Sequence, residues 1–156
     1  MDKLALEGII AGTIGAAVIA IWFLILDTYN GRPLLTPAVL GTALFGKGAG
    51  LASPETLPIS FEIVLMYTWV HWLVFVVLGG LASWLLGAAE KNPDVGFGIL
   101  LLFIIFMSGF MAVALMFAEP VLHVLAWPAI LVGNVLAAAA MGAYFWRQHQ
   151  HLVIRP

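Results

Sequence analysis

The sequence contains no cysteine and few charged side chains, and each shortage excludes a class of protein. Without cysteine there are no disulfides, Cys-ligated zinc sites, iron-sulfur clusters or thiol nucleophiles. Charged residues are 9% of the 156 residues, against about a quarter in a soluble domain. Six basic and eight acidic residues give a net charge of -2, so we expect no nucleic-acid partner. The 63% hydrophobic content predicts an integral membrane protein in contact with the lipid bilayer.

The sequence also lacks the motifs of common enzymes. It has no HExxH, GxSxG or P-loop motif, no GxGxxG motif between a strand and a helix, and no paired carboxylates within its apolar segments. We therefore expect a protein that is not an enzyme. Channels and transporters ordinarily need a charged or strongly polar path through the membrane. An oligomeric channel or a small-solute transporter is consequently our third interpretation, behind the two given below.

Long apolar runs predict the fold class. A helix that spans a bilayer needs roughly 20 predominantly apolar residues. The polar turn at 90–94 and the two-residue corner at 119–120 predict that the helices they join are antiparallel neighbours. We expect an all-α protein, a single membrane domain over residues 1–156 that forms a four-helix bundle. Its predicted transmembrane helices cover residues 8–26, 60–88, 95–118 and 121–146.

The positions of lysine and arginine predict the orientation in the membrane. Basic residues near helix ends tend to stay in the cytoplasm. If both termini are cytoplasmic, four basic residues lie inside and two lie outside, and the loop at 27–59 is external. We therefore predict a multi-pass protein of a bacterial-type inner membrane with both termini in the cytoplasm. The inner residues are Lys3, Lys91, Arg147 and Arg155, and the outer ones are Arg32 and Lys47.

The first loop contains signals for a short additional helix. Thr36 is a candidate N-cap, Pro37 suits the first helical position, and Gly46 is a stop signal. The segment 36–45 between them is too apolar to be solvated on all sides. We therefore predict a short helix on the outer face, which lies in the membrane interface, covers the chain's own bundle or docks on another subunit.

Small residues at four-residue spacing predict where the helices touch. In lipid, helices associate by close packing, and small side chains let their backbones approach. Such pairs occur in every predicted span and predict one compact bundle, with partner helices as the other possible contact. The pairs are Gly8 and Gly12, Ala11 and Gly15, Gly79 and Ser83, Ser83 and Gly87, Ser108 and Ala112, Gly133 and Ala137, and Ala138 and Gly142.

Two histidines in the apolar segments are the candidate binding residues. An intramembrane polar group usually faces the protein interior or water. At about 100° per residue, His71 shares a helix side with Tyr67 and lies near Thr68, whereas Glu62 falls on the opposite side. His123 begins a second stripe, which we expect to face inward. That stripe continues through Trp127, Asn134, Met141 and Phe145.

A b-type haem held by His71 and His123 is the alternative that these histidines raise. His71 precedes Ala88 by 17 residues and His123 precedes Arg147 by 24, which places the two imidazoles roughly 10 Å apart in depth. Axial ligands of one haem need similar depths, although helix tilt and a kink at Pro128 reduce the difference. We favour a structural, hydrogen-bonded His71.

Metal sites are a further alternative, and we expect none. Met107 and Met111 share a helix face and suit Cu(I), but methionines in membrane bundles commonly serve packing. His149 and His151 form an H-x-H in a tail that we expect to be solvated and cytoplasmic. A divalent site at the outer mouth would draw on Glu119, His123, Glu62 and Asp27.

These observations favour a non-catalytic subunit or stabilising partner of a larger bacterial membrane complex, an energy-transducing complex being the type we favour. The expected partners are other membrane protein subunits or further copies of the chain, and no cofactor is required. The second interpretation is a small membrane redox module that binds haem b or quinone near His71 and His123.

Overall fold

The computed structural model describes residues 2–46, 56–92 and 127–150, and these ranges are helical without a strand. Three of the helices are long and apolar enough to cross a membrane, which confirms the predicted all-helical class and supports a membrane protein. The predicted span at 95–118 and residues 121–126 of the last span lie outside the described residues. The described helices are α1 (Lys3–Tyr29), α2 (Leu35–Phe45), α3 (Phe61–Lys91) and α4 (Trp127–Gln148).

The long helices extend beyond the apolar runs that predicted them. Helix α1 has 27 residues and includes polar residues at both of its ends, because backbone hydrogen bonding does not stop where apolar composition does. In α3 the Ser60 side chain accepts a hydrogen bond from the backbone N–H of Ile63 at 3.5 Å. Glu62 in the first turn and Lys91 in the last turn of α3 suit the helix dipole.

Helices α1 and α3 pack antiparallel through glycines. A Cβ atom on Gly8 would lie 2.5 Å from the Gly80 Cα atom, a separation that real Cβ atoms do not reach, so the backbones meet there without side chains. The Ser83 hydroxyl, which is completely buried, donates to the Leu4 carbonyl oxygen at 2.8 Å. This bond joins the beginning of α1 to the last third of α3.

Helix α4 packs on another side of α1 and is antiparallel to it. The Trp22 indole N–H donates to the Ala129 carbonyl oxygen at 2.9 Å, which fixes the beginning of α4 against the second half of α1. Near the middle of α1, a Cβ atom on Gly15 would meet the Met141 sulfur of α4. Phe145 is buried and Asn134 half-buried, so the predicted inward stripe is confirmed for its described side chains.

The small-residue rows are confirmed on α1 and α3 and for one of the two pairs on α4. Gly133 and Ala137 are buried, whereas Ala138 and Gly142 are exposed. Ala138 follows Ala137 by one residue, which is about 100° around the helix, so the second row faces away from α1. The pair Ser108 and Ala112 lies outside the described residues.

Helix α2 lies against α3 and the end of α1. Its side chains Ala38 and Val39 form a buried cluster with Leu57 and Val64. The predicted stop signal is confirmed, because Gly46 is the C-cap. The predicted N-cap is wrong: the helix begins at Leu35 after Leu34, and Thr36 uses its backbone N–H and its hydroxyl to bind the Asp27 carboxylate.

Candidate functional site

Three ionisable side chains from distant parts of the sequence meet at one end of the helices. They are Glu7 in α1, Glu90 in α3 and His149 directly after α4. The His149 Nδ1 atom lies 2.6 Å from Glu90 Oε1, and the His149 Nε2 atom lies 3.2 Å from Glu7 Oε2. The imidazole therefore bridges two carboxylates and connects three helices. We call these residues the Glu7-His149-Glu90 cluster.

The antiparallel packing of α1 explains why these residues meet. Glu7 begins the buried stripe of α1 that continues through Gly8 and Ala11, so its side chain points at the other helices. The His149 backbone N–H donates to the Phe145 carbonyl oxygen at 2.9 Å. That bond prolongs the last turn of α4 and places the His149 imidazole on the same buried side of the helix as Phe145. The centroids of these two rings are 6.5 Å apart.

Burial and charge differ across the cluster. The side chains of Glu7 and His149 are each 6% exposed, whereas that of Glu90 is 43% exposed. The Lys3 ammonium lies 3.5 Å from the second carboxylate oxygen of Glu7, Oε1. This oxygen is buried and accepts no hydrogen bond from the described residues, so Lys3 contributes its charge rather than a bond of good geometry.

Sequence reasoning missed this cluster. The expectation that His149 is a solvated tail residue is wrong, because its side chain is buried between the carboxylates of Glu7 and Glu90. The sequence alone shows neither the extra turn after α4 nor the position of these two carboxylates. Glu7 directly precedes the first apolar run, at 8–26. Its position next to the glycine row at Gly8 and Gly12 was the available signal, since that row faces another helix.

The deep histidine of α3 has the helix face that the sequence predicts. The rings of Tyr67, His71 and Phe75 form a column with centroids 5.8 Å and 4.9 Å apart. The His71 Nε2 atom lies 3.4 Å from the Ala16 carbonyl oxygen of α1. Thr68 does not join this column through a hydrogen bond, because its hydroxyl donates to the Val64 carbonyl oxygen of its own helix at 2.7 Å.

The remaining predicted site residues are either separated or outside the described ranges. His123, Glu119, Met107, Met111 and His151 all lie outside them. Both carboxylate oxygens of Asp27 are bonded to Thr36, and Glu62 is exposed at the start of α3. Within residues 2–46, 56–92 and 127–150, no group of three His, Asp or Glu side chains could hold a metal ion.

No protein-family model matches the chain, and neither a curated protein nor a solved structure is significantly similar to it.

Proposed function

We propose that the chain is a non-catalytic integral membrane subunit, or a stabilising partner, of a larger complex of a bacterial-type inner membrane. The observation that carries this proposal is the use of polar side chains to join helices. Trp22 bonds α1 to α4, and Ser83 bonds α3 to α1. The Trp72 indole N–H adds a bond of 3.1 Å to the Thr13 hydroxyl. These polar side chains, which could otherwise take part in a reaction, hydrogen-bond one helix to another.

Four spans with both termini in the cytoplasm form part of the proposal. Helices α3 and α4 are both antiparallel to α1, so Lys91 and Gln148 lie at the same end while Trp127 lies at the other. We therefore propose that the chain crosses the membrane once between Asn92 and Trp127, which lie at opposite ends of the described helices. A 20-residue helix is about 30 Å long, and the apolar run at 95–118 has the length for that crossing.

The end of α2 is the surface that we propose for contact with another subunit. Most of α2 is covered by the chain itself, including Leu40, which packs against the cluster of Ala38 and Val39. At its C-terminal end, however, Leu44 is 56% and Phe45 is 38% exposed. Two apolar side chains at the end of a docked helix suit a neighbouring apolar protein surface.

Purification of the tagged protein from its native membrane in mild detergent tests this proposal. A double variant, Leu44→Ser with Phe45→Ser, is compared with Tyr29→Ser, a more exposed aromatic residue at the end of α1. We expect the wild type and Tyr29→Ser to retain additional membrane subunits in fixed stoichiometry, and the double variant to lose them while staying folded. Unchanged stoichiometry in the double variant would remove α2 from the proposed interface.

A further inference from the structure

The hydrogen-bonding capacity of an imidazole limits the protonation states of the Glu7-His149-Glu90 cluster. A neutral imidazole has one N–H donor and one acceptor nitrogen, and an ionised carboxylate can only accept. Both ring nitrogens of His149 face a carboxylate oxygen, at 2.6 Å and 3.2 Å. A neutral His149 between two ionised carboxylates has one N–H and can therefore make one of these hydrogen bonds. Both contacts are hydrogen bonds only if the cluster holds one additional proton.

The charges around His149 favour that extra proton. Helix α1 contributes the negative Glu7 and the positive Lys3, and α3 contributes the negative Glu90. With an imidazolium at His149, the four groups sum to zero. With a neutral imidazole, the four groups carry a net negative charge. The two most buried side chains, His149 and Glu7, would then place an acceptor nitrogen next to an acceptor oxygen, and no hydrogen bond could form between them. Among the described residues, the other charged side chains near these helix ends are exposed, namely Asp2, Lys91 and Arg147.

We propose that Glu7, His149 and Glu90 form a proton-binding site that fastens the end of α4 to α1 and α3. The bound proton gives His149 a second N–H, so that Nδ1 donates to Glu90 and Nε2 donates to Glu7. Glu90 is the half-exposed member and provides the route by which the proton exchanges with water. This inference goes beyond the subunit proposal and does not depend on it.

Loss of the proton breaks one contact rather than both. The single N–H of the neutral ring stays with Glu90, the closer partner, and the Nε2 lone pair then faces the buried Glu7 carboxylate. The link to α1 is lost, so the end of α4 separates from α1 as the solution becomes alkaline. The site therefore couples the position of the end of α4 to the pH of the surrounding solution.

Nitrogen NMR of the full chain in detergent micelles, with histidine selectively labelled with ¹⁵N, reads the protonation state directly. The His149 signals are identified by their loss in His149→Gln. In the wild type we expect both ring nitrogens to carry protons in acidic solution and one to lose its proton on titration with alkali. Glu7→Gln and Glu90→Gln should each lower the proton affinity of His149 by about tenfold or more, because each removes an adjacent negative charge.

Glu62→Gln is the matched control, because Glu62 is an exposed carboxylate at the far end of α3, and it should leave the titration of His149 unchanged. Equal titration of His149 in the wild type, Glu7→Gln and Glu90→Gln would overturn the proposal, as would a response to only one of the two variants. Because Glu90 is half-exposed, Glu90→Gln is expected to fold even if Glu7→Gln does not. The wild-type titration does not depend on the folding of either carboxylate variant and needs only His149→Gln, which identifies the His149 signals.

The thermal stability of His149→Gln gives a second readout. The wild type should unfold at a higher temperature than His149→Gln in mildly acidic solution, where the imidazolium makes both bonds. This advantage should shrink as the pH rises and the second donor is lost. A difference in unfolding temperature that stays constant with pH would show a structural role without proton binding, and the proposal would be wrong.

Discussion

The Asp27 carboxylate, at the end of α1, accepts two hydrogen bonds from Thr36 at the beginning of α2. Its Oδ2 atom accepts from the Thr36 backbone N–H and its Oδ1 atom from the Thr36 hydroxyl, both at 2.7 Å. Helix N-terminal N–H groups lack partners within their own helix, so Asp27 serves as an N-cap from nine residues upstream. Asp27 is buried, at 5% exposure, and it holds α2 against the end of α1.

Replacement of Asp27 by Ala should release the beginning of α2 from α1. The loss of a helix cap costs about 0.5 to 2 kcal/mol. Hydrogen exchange followed by mass spectrometry should show faster exchange in α2 and unchanged exchange at the contact of Gly8 with Gly79. Asp27→Asn is the control, because its amide can still accept from the Thr36 N–H. Equal protection of α2 in Asp27→Ala and the wild type would contradict the capping role.

Glycine-to-alanine substitutions should affect stability differently at Gly8 in α1, which is tightly packed, and at Gly80 in α3, which is not. In Gly8→Ala the new methyl group meets the backbone of Gly80, whereas in Gly80→Ala the methyl group has no atom within 4 Å among the described residues. Overpacking typically costs about 1 to 3 kcal/mol, and alanine also favours a helix over glycine by about 1 kcal/mol. We expect Gly8→Ala to be destabilised and Gly80→Ala to be as stable as the wild type or more stable, by unfolding in mixed micelles. The reverse order would mean that α1 and α3 do not meet at Gly8.

His71→Ala should lower the stability of the bundle without removing a cofactor. The substitution deletes the contact with the Ala16 carbonyl oxygen and the ring contacts with Tyr67 and Phe75, at a cost of about 1 to 3 kcal/mol. An optical spectrum of the purified wild type, taken beside that of His71→Ala, is the measurement. A Soret band that disappears in His71→Ala while thermal stability is unchanged would instead favour the haem b module.

Single cysteines should report the proposed orientation, because the natural chain has none that would interfere. Asn30 and Gln150 are exposed residues at opposite ends of the described bundle. With both termini in the cytoplasm, Asn30→Cys reacts with a membrane-impermeant thiol reagent in intact cells, and Gln150→Cys reacts only after the membrane is opened. The opposite labelling pattern would invert the topology.

The features that depend on neighbouring residues could be predicted from the sequence. A run of apolar residues is a local property, so the spans around Gly12, Val74 and Val135 were found without knowledge of their neighbours. The row of Gly8 and Gly12 was found for the same reason, because four-residue spacing defines one face of any helix.

The features that depend on pairing across the chain could not be predicted. Glu7 and His149 are separated by 142 positions, and only the antiparallel packing of α1 with α4 brings them together. The prediction of the cap of α2 is wrong for the same reason, over a separation of nine residues. A search for a cap among adjacent residues selects Thr36, whereas in the structure Thr36 is the donor and Asp27 is the acceptor.

Native mass measurement of the tagged chain, released from its own membrane in mild detergent, tests the central claim most directly. The subunit proposal predicts a complex that contains at least one other membrane polypeptide in a fixed ratio to this chain. Its mass is then the mass of the copies of this chain plus the mass of that polypeptide. It also predicts an optical spectrum without a haem band bound to this chain. A mass equal to one chain or to a whole number of copies, with no second polypeptide, would contradict the claim.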